Sequence, residues 1–527
     1  MIAKRILLLG LTIIALVPVL LSLINSINQP QVQANLQLYQ TNLILQASEF
    51  SWQDLPEVKQ VLIGKDTNKL AINQYQQALK SSQTNLENLE NQLTTIITNL
   101  EKEGSEDSSF NPSSKFNFTN SQVEQKLEQE INNQKQAINQ LNLKLGILQV
   151  HQGKITKGIE TWENLLIEKN LANSDLKLNQ ITEVLIGLWS DKKTVLPNAE
   201  EQINSSLQGW FQTVNLKRLY EIQDRKTDLK NLENQQQETA YKAIIKLALV
   251  GIIPFALGLI GFVLLLLVLL QLLLKKQESI LFINQNFAWK TPWTIETIWQ
   301  VLIVGFFFIG QIILPLVFGL IFGGLNINPT NFTLRQTAFY VLISYLSLAI
   351  SGISVLYLSI KSFFPLAKDW FQFKWQSNWI VWGIGGYLVA LPLVIIVSLI
   401  NQQLWNGQGG SNPLLSLALE AQDSLVLAIF YVTASLAAPV YEEIIFRGFL
   451  LPSLTRYIPV WAAIGLSSLI FALAHLNLSE VLPLAILGIV LGVVYTRSRN
   501  LLSSMLVHSL WNSGTLFSLF ILGSGGQ

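Results

Sequence analysis

The sequence predicts an all-α, polytopic membrane protein of about nine transmembrane helices, with a helical soluble domain inserted after the first. Three observations carry that prediction. Uninterrupted apolar runs of membrane-spanning length recur along the chain. Half of the 527 residues are hydrophobic and only 13% are charged, about half the charge of an ordinary soluble protein. Between the first and second runs lies a long stretch of different composition, rich in Gln, Asn, Lys, Glu and Leu.

The first run, residues 6–25, follows Lys4 and Arg5. Residues 1–28 read as an uncleaved signal anchor. A cleaved signal peptide is the alternative, with Val32-Gln-Ala34 as its cleavage site. Either way, the segment that follows crosses the membrane. Residues 29–242 have apolar residues at helical spacing, as in Gln83–Leu93 and Val123–Ile131, and predict a helical, partly coiled-coil-like domain. Glu101–Ser121, rich in Ser and Asn, reads as a linker or loop. Gly146, Gly153, Gly158, Trp162 and Leu165 are spaced as in one tetratricopeptide unit or a generic helical hairpin, with small residues where two helices touch.

Residues 243–420 supply membrane helices, and 421–527 complete the membrane region. The expected spans are 244–274, 296–324, 336–360, 378–402, 424–453, 458–476, 481–496 and 500–522. Lys4, Arg5, Lys275, Lys276, Lys361, Lys368, Lys374, Arg456, Arg497 and Arg499 all fall on one side of this arrangement. That side is then cytoplasmic, and 29–242 is non-cytoplasmic. A bacterial plasma membrane or a related internal membrane fits this layout. The net charge of +1 gives no reason to expect a nucleic-acid partner. The absence of cysteine excludes disulfides, thiol catalysis and cysteine-bound metal.

Within 421–527 the apolar helices carry polar groups. Glu442, Glu443 and Arg447 sit together; His475 follows Phe471 by four residues, and Asn512 follows His508 by four. Two of the three histidines in the chain are here. Ionisable groups at this depth are costly, so they mark a site. Glu443 and Arg447, at i and i+4, share a helix face and form a pair. Glu442 lies about 100° around the helix and faces something else. Counted from Arg456 or Arg499, Glu442, His508 and Asn512 fall about 21, 13 and 20 Å along their helices, and His475 about 28 Å. These depths let the four groups meet in one cavity. Pro439 leaves the Ser435 carbonyl without its helical donor and favours a kink, which also serves as ordinary packing.

The chemistry these groups suggest is amide hydrolysis. Glu442 is suited to take a proton from water, His475 to hold that water or share the proton, Asn512 to stabilise an oxyanion, and His508 to add a polarising contact. Zinc held by Glu442, His475 and His508 is the metal alternative; otherwise no cofactor is implied. No His-Glu-x-x-His is present.

Glu442-Glu443-x-x-x-Arg447, Phe471-x-x-x-His475 and His508-x-x-x-Asn512, in this order, resemble the CPBP (Abi) family of intramembrane proteases, which includes the type II CAAX prenyl endopeptidases. The resemblance covers about residues 425–515. It implies a glutamate- or metal-dependent membrane endopeptidase. Glu442, His475, His508 and Asn512 would be catalytic, with Glu443, Arg447 and Phe471 supporting. The expected partners are the lipid bilayer, a membrane-associated peptide or protein substrate, and a protein partner for 29–242. A non-proteolytic scaffold or immunity protein of the same fold is the alternative. A proton-relaying transporter ranks below both, because the sequence shows no internal repeat.

Overall fold

A computed structural model describes residues 2–52, 56–105, 114–169, 176–283, 285–421 and 423–524. Among the described residues the chain is helical, with one isolated β-bridge, Pro30 to Gln408, and no strand. It divides into two compact units. One comprises Met1–Val32 and Leu249–Gly523, the other Gln33–Ala248 with the last four residues.

The first unit begins with α1 (Ile2–Ser26). Unlike a free anchor, this helix buries Ala15, Val19 and Leu23 against Ile303 and Phe307. Thr12 accepts a hydrogen bond from the Trp299 indole at 2.8 Å.

The second unit is built from α2 (Thr67–Ser105), α3 (Ser114–His151), α4 (Ile155–Lys169), α5 (Leu176–Trp189) and α6 (Gly209–Ile222), with shorter helices around them. Its core gathers Tyr75, Trp162, Leu188, Trp210 and Phe211. The glycines that suggested a hairpin sit where α3 meets α4. A Cβ on Gly146 would lie 2.1 Å from the Trp162 indole nitrogen, which donates to the Leu143 carbonyl at 3.0 Å. A Cβ on Gly158 would lie 2.4 Å from Val150. Gly153 turns the chain with φ +87°. The expected loop Glu101–Ser121 is helical at both of its ends. Helix runs to Ser105 and resumes at Ser114; residues 106–113 lie outside the described set.

The membrane helices are α7 (Ile253–Lys275), α8 (Ile295–Gly324), α9 (Leu334–Ile360), α10 (Trp379–Trp405), α11 (Ser424–Leu454), α12 (Val460–Leu473), α13 (Leu478–Ser498) and α14 (Leu501–Gly523). Counting α1, and the longer helical run that contains α7, eight helices among the described residues are long and apolar enough to span a bilayer. The ninth, α12, has only 14 residues. The chain is therefore a multi-pass integral membrane protein.

Small residues set the helix spacing. A Cβ on Gly261 of α7 would lie 1.8 Å from the Leu388 carbonyl of α10, one on Gly386 of α10 2.6 Å from Val494, and one on Gly488 of α13 2.8 Å from Ser468 of α12. Such close contact is how helices associate in lipid, where apolar packing gains nothing from leaving water.

Two expectations need correction. The span 458–476 ends early: α12 stops at Leu473, so His475 lies in the turn beyond it and not on a helix face. The next helix starts at Leu478 instead of 481 and takes Glu480 into its first turn. Tertiary contacts fix this boundary. Ser26 Oγ accepts from the Leu478 N–H at 3.1 Å, and the Gly409 carbonyl accepts from the Ser479 N–H at 3.1 Å.

Candidate active site

The two acids lie on a short α-helical stretch of α11, Ala438–Glu443, between two π-helical turns, Val432–Ala437 and Ile444–Leu450. Pro439 explains the first turn in part, since it cannot donate to Ser435. That carbonyl is satisfied from α14, where Ser509 Oγ donates to it at 2.6 Å. Asn512, one turn further, donates its Nδ2 to the Ala434 carbonyl at 2.7 Å. Both broken-ladder oxygens of α11 are thus bonded by side chains of the helix that carries His508. One Asn512 N–H is used in this way.

Glu443 and Arg447 are fully buried, at 0% exposure. Arg447 Nη1 donates to Glu443 Oε1 at 2.7 Å, and Nη2 to the Gly488 carbonyl at 3.2 Å. Removing one partner of such a pair would strand a charge, at a cost of about 3–5 kcal/mol. The Arg447 guanidinium lies 4.5 Å from the centre of the Phe471 ring.

His508 is 3% exposed and stands between the two acids. Its Nδ1 is 3.0 Å from Glu443 Oε1, and its Nε2 is 3.8 Å from Glu442 Oε2. A carboxylate paired with arginine only accepts, so Nδ1 carries the proton. Nε2 is the nitrogen that faces Glu442. His475 follows the same logic. Its Nδ1 lies 2.9 Å from the Phe471 carbonyl, which also only accepts, so its Nε2 is the available atom.

Phe471, fully buried, joins these parts. Its ring meets His475 at 4.9 Å, His508 at 5.7 Å and Phe446 at 5.3 Å, all edge to face. The structure therefore assembles Glu442, Glu443, Arg447, Phe471 and His508 directly. His475 is brought in through Phe471, and Asn512 through the α11 kink.

Sequence reasoning missed Tyr345 of α9. Its hydroxyl donates to Glu442 Oε1 at 2.8 Å. Glu442 Oε2 has no hydrogen-bond donor among the described residues. Tyr441, beside it, packs flat against Phe306 and into the space left by Gly352, where a Cβ would lie 2.3 Å from its hydroxyl. The available signal was a phenol in mid-span, which needs a partner in lipid, but nothing in the sequence pairs it with a residue 97 positions away.

The zinc alternative does not fit this arrangement. Among the described residues no three His, Asp or Glu side chains are placed to hold a metal ion.

The fold and site define a multi-pass helical membrane protein with a histidine between two adjacent glutamates, one buried and one partly exposed. Residues 424–514 match the family model described as type II CAAX prenyl endopeptidase Rce1-like, in agreement with the family that the ordered motifs resemble. The chain is 25% identical over 193 residues to the membrane-embedded CAAX protease MroQ of Staphylococcus aureus (strain USA300), covering 35% of this chain and 76% of that protein. It is 26% identical over 134 residues to a Bacillus subtilis (strain 168) protein named "Putative membrane peptidase YdiL", covering 25% of this chain and 54% of that one. No solved structure matches it significantly.

Proposed function

We propose that this chain is an intramembrane endopeptidase that hydrolyses a peptide bond in a membrane-associated protein or peptide, with water activated by Glu442. The observation that carries this reading is that Glu442 Oε2, without a donor among the described residues, lies 3.8 Å from His508 Nε2, and in this reading both act as acceptors. A water about 2.8 Å from both would see them about 85° apart, close to its own bond angle. It would donate one hydrogen to each and leave its lone pairs free for a carbonyl carbon.

In this reading Glu442 takes the proton as the water attacks, and later passes it to the leaving amine. Tyr345 holds the other carboxylate oxygen and fixes the plane of the group. Glu443, ionised against Arg447, fixes the tautomer and orientation of His508. The remaining Asn512 N–H is the donor for the developing oxyanion. His475 would hold the water or share its proton through Nε2. The likeness to CAAX proteases makes a lipid-modified peptide the first substrate class to try.

The test is cleavage of a membrane-inserted peptide by purified, reconstituted protein. Glu442→Gln should abolish cleavage at unchanged abundance, since the amide keeps the shape and still accepts from Tyr345. Cleavage at the wild-type rate by that variant would overturn the reading. A strong chelator should leave activity intact; its loss, and recovery with zinc, would favour the metal alternative.

The loop charges support a non-cytoplasmic 29–242 domain in a bacterial plasma or internal membrane, available there to a protein partner. Protease added to sealed right-side-out vesicles should digest this domain. Digestion only in inverted vesicles would reverse the topology.

A further inference from the structure

Arg497, in the last turn of α13, takes no part in the site described above. Its side chain is only 4% exposed, yet Nε, Nη1 and Nη2 all lack a hydrogen-bond partner, and no carboxylate pairs with it among the described residues. Its guanidinium lies 5.0 Å from the centre of the Trp461 ring. A cation–π contact offsets only part of the cost of a buried, unpaired cation.

Trp461 is the second residue of α12. That helix starts at Val460, behind Pro459, with no side-chain cap. Its first N–H groups therefore have no acceptor within the helix, and the helix dipole adds partial positive charge there. An unpaired guanidinium and an uncapped helix N-terminus thus meet at one indole. Two residues on, the Arg499 Nη1 is also without a partner, and its guanidinium lies 3.6 Å from the Trp289 ring centre. No acid is paired with Arg497 among the described residues.

We propose that Arg497 and the N-terminus of α12 form a binding site for a phosphate-type anion, either the phosphodiester of an anionic membrane lipid or free phosphate. Trp461 is the lid: the residue is 40% exposed, and displacement of its ring would uncover the guanidinium. Leu466 and Leu469 of the same helix are also exposed, an apolar track that acyl chains would follow below the headgroup.

The experiment uses the full chain in a detergent with a neutral headgroup. Its melting temperature is followed while phosphatidylglycerol, phosphatidylcholine of the same acyl chains, or inorganic phosphate is added. Phosphatidylglycerol should raise the midpoint by about 2–4 °C, phosphatidylcholine should not, and Arg497→Gln should abolish the shift. An equal shift with inorganic phosphate would identify the free anion as the ligand. Should Arg497→Gln fail to fold, Trp461→Ala retains the cation and should keep the shift or enlarge it. No shift in wild type, an equal shift with phosphatidylcholine, an unchanged shift in Arg497→Gln, or loss of the shift in Trp461→Ala would overturn the site.

Discussion

His508 Nδ1 lies 3.0 Å from Glu443 Oε1, so the ring of a helix near the C-terminus is oriented by a carboxylate that itself belongs to an ion pair. The two adjacent glutamates therefore have different surroundings. Glu443 is bonded to Arg447 and His508. Glu442 is bonded on one oxygen by Tyr345 and faces His508 with the other.

The first prediction concerns that ion pair. Glu443→Gln or Arg447→Ala should lower stability by about 3–5 kcal/mol, because each leaves a buried charge unmatched. The double variant Glu443→Leu, Arg447→Met should regain part of the loss while remaining inactive, since leucine offers His508 Nδ1 no acceptor. Thermal melts and expression levels in detergent measure this. Wild-type melting of both single variants would contradict it.

Tyr345→Phe removes one hydrogen bond to a charged group and keeps the ring. A bond of this kind is worth about 1.5–3 kcal/mol, so cleavage should slow by about 10–150-fold. The melting point should change far less than in the ion-pair variants. Unchanged turnover would mean that Tyr345 only fills space.

Gly146→Ala should destabilise the soluble unit by about 1–3 kcal/mol, because its Cβ would meet the buried Trp162 indole. Faster limited proteolysis of residues 33–248 in the intact protein, with activity of the membrane site measured alongside, reads this out. Wild-type resistance would show that the α3–α4 contact yields easily.

A pH effect follows from Glu200. The Arg225 guanidinium, 2.6 Å away, and the Tyr220 hydroxyl hold its carboxyl below the usual range. A depressed acid contributes stability that is present above the unfolded value, about 4.3 for glutamate, and is lost as pH falls through the folded value. The pair is partly exposed, so the effect is small. Arg225→Ala should melt slightly below wild type at pH 7, and the difference should shrink towards pH 3. A difference that grows on acidification would contradict the assignment.

Much of the membrane region was legible because hydrocarbon thickness dictates helix length. The span expected at 378–402 is Trp379–Trp405, and 500–522 is Leu501–Gly523. The Glu443–Arg447 pair and the orphaned Ser435 carbonyl followed from helix geometry alone. What remained hidden depends on distant residues. The apolar run through Phe471–Leu476 gives no local reason to stop at Leu473; Ser26 and the loop around Gly409 help define that boundary. Ser509 answers Ser435 from 74 residues away, and Tyr345 answers Glu442 from 97. Period and composition carry no information about such partners.

The two π turns of α11 bear on how related sequences are compared. Each is an α-helix that has accepted one extra residue. A relative lacking one residue within 432–437 or 444–450 would keep the same helix with a plain α turn, and the correct alignment would open a single-position gap there. A helical wheel drawn with uniform spacing across Ser424–Leu454 rotates by about 100° at each insertion and assigns lipid-facing positions to the wrong side. Homology searches that forbid gaps inside membrane helices would misplace the glutamates of such a relative by one position, which is the distance between Glu442 and Glu443.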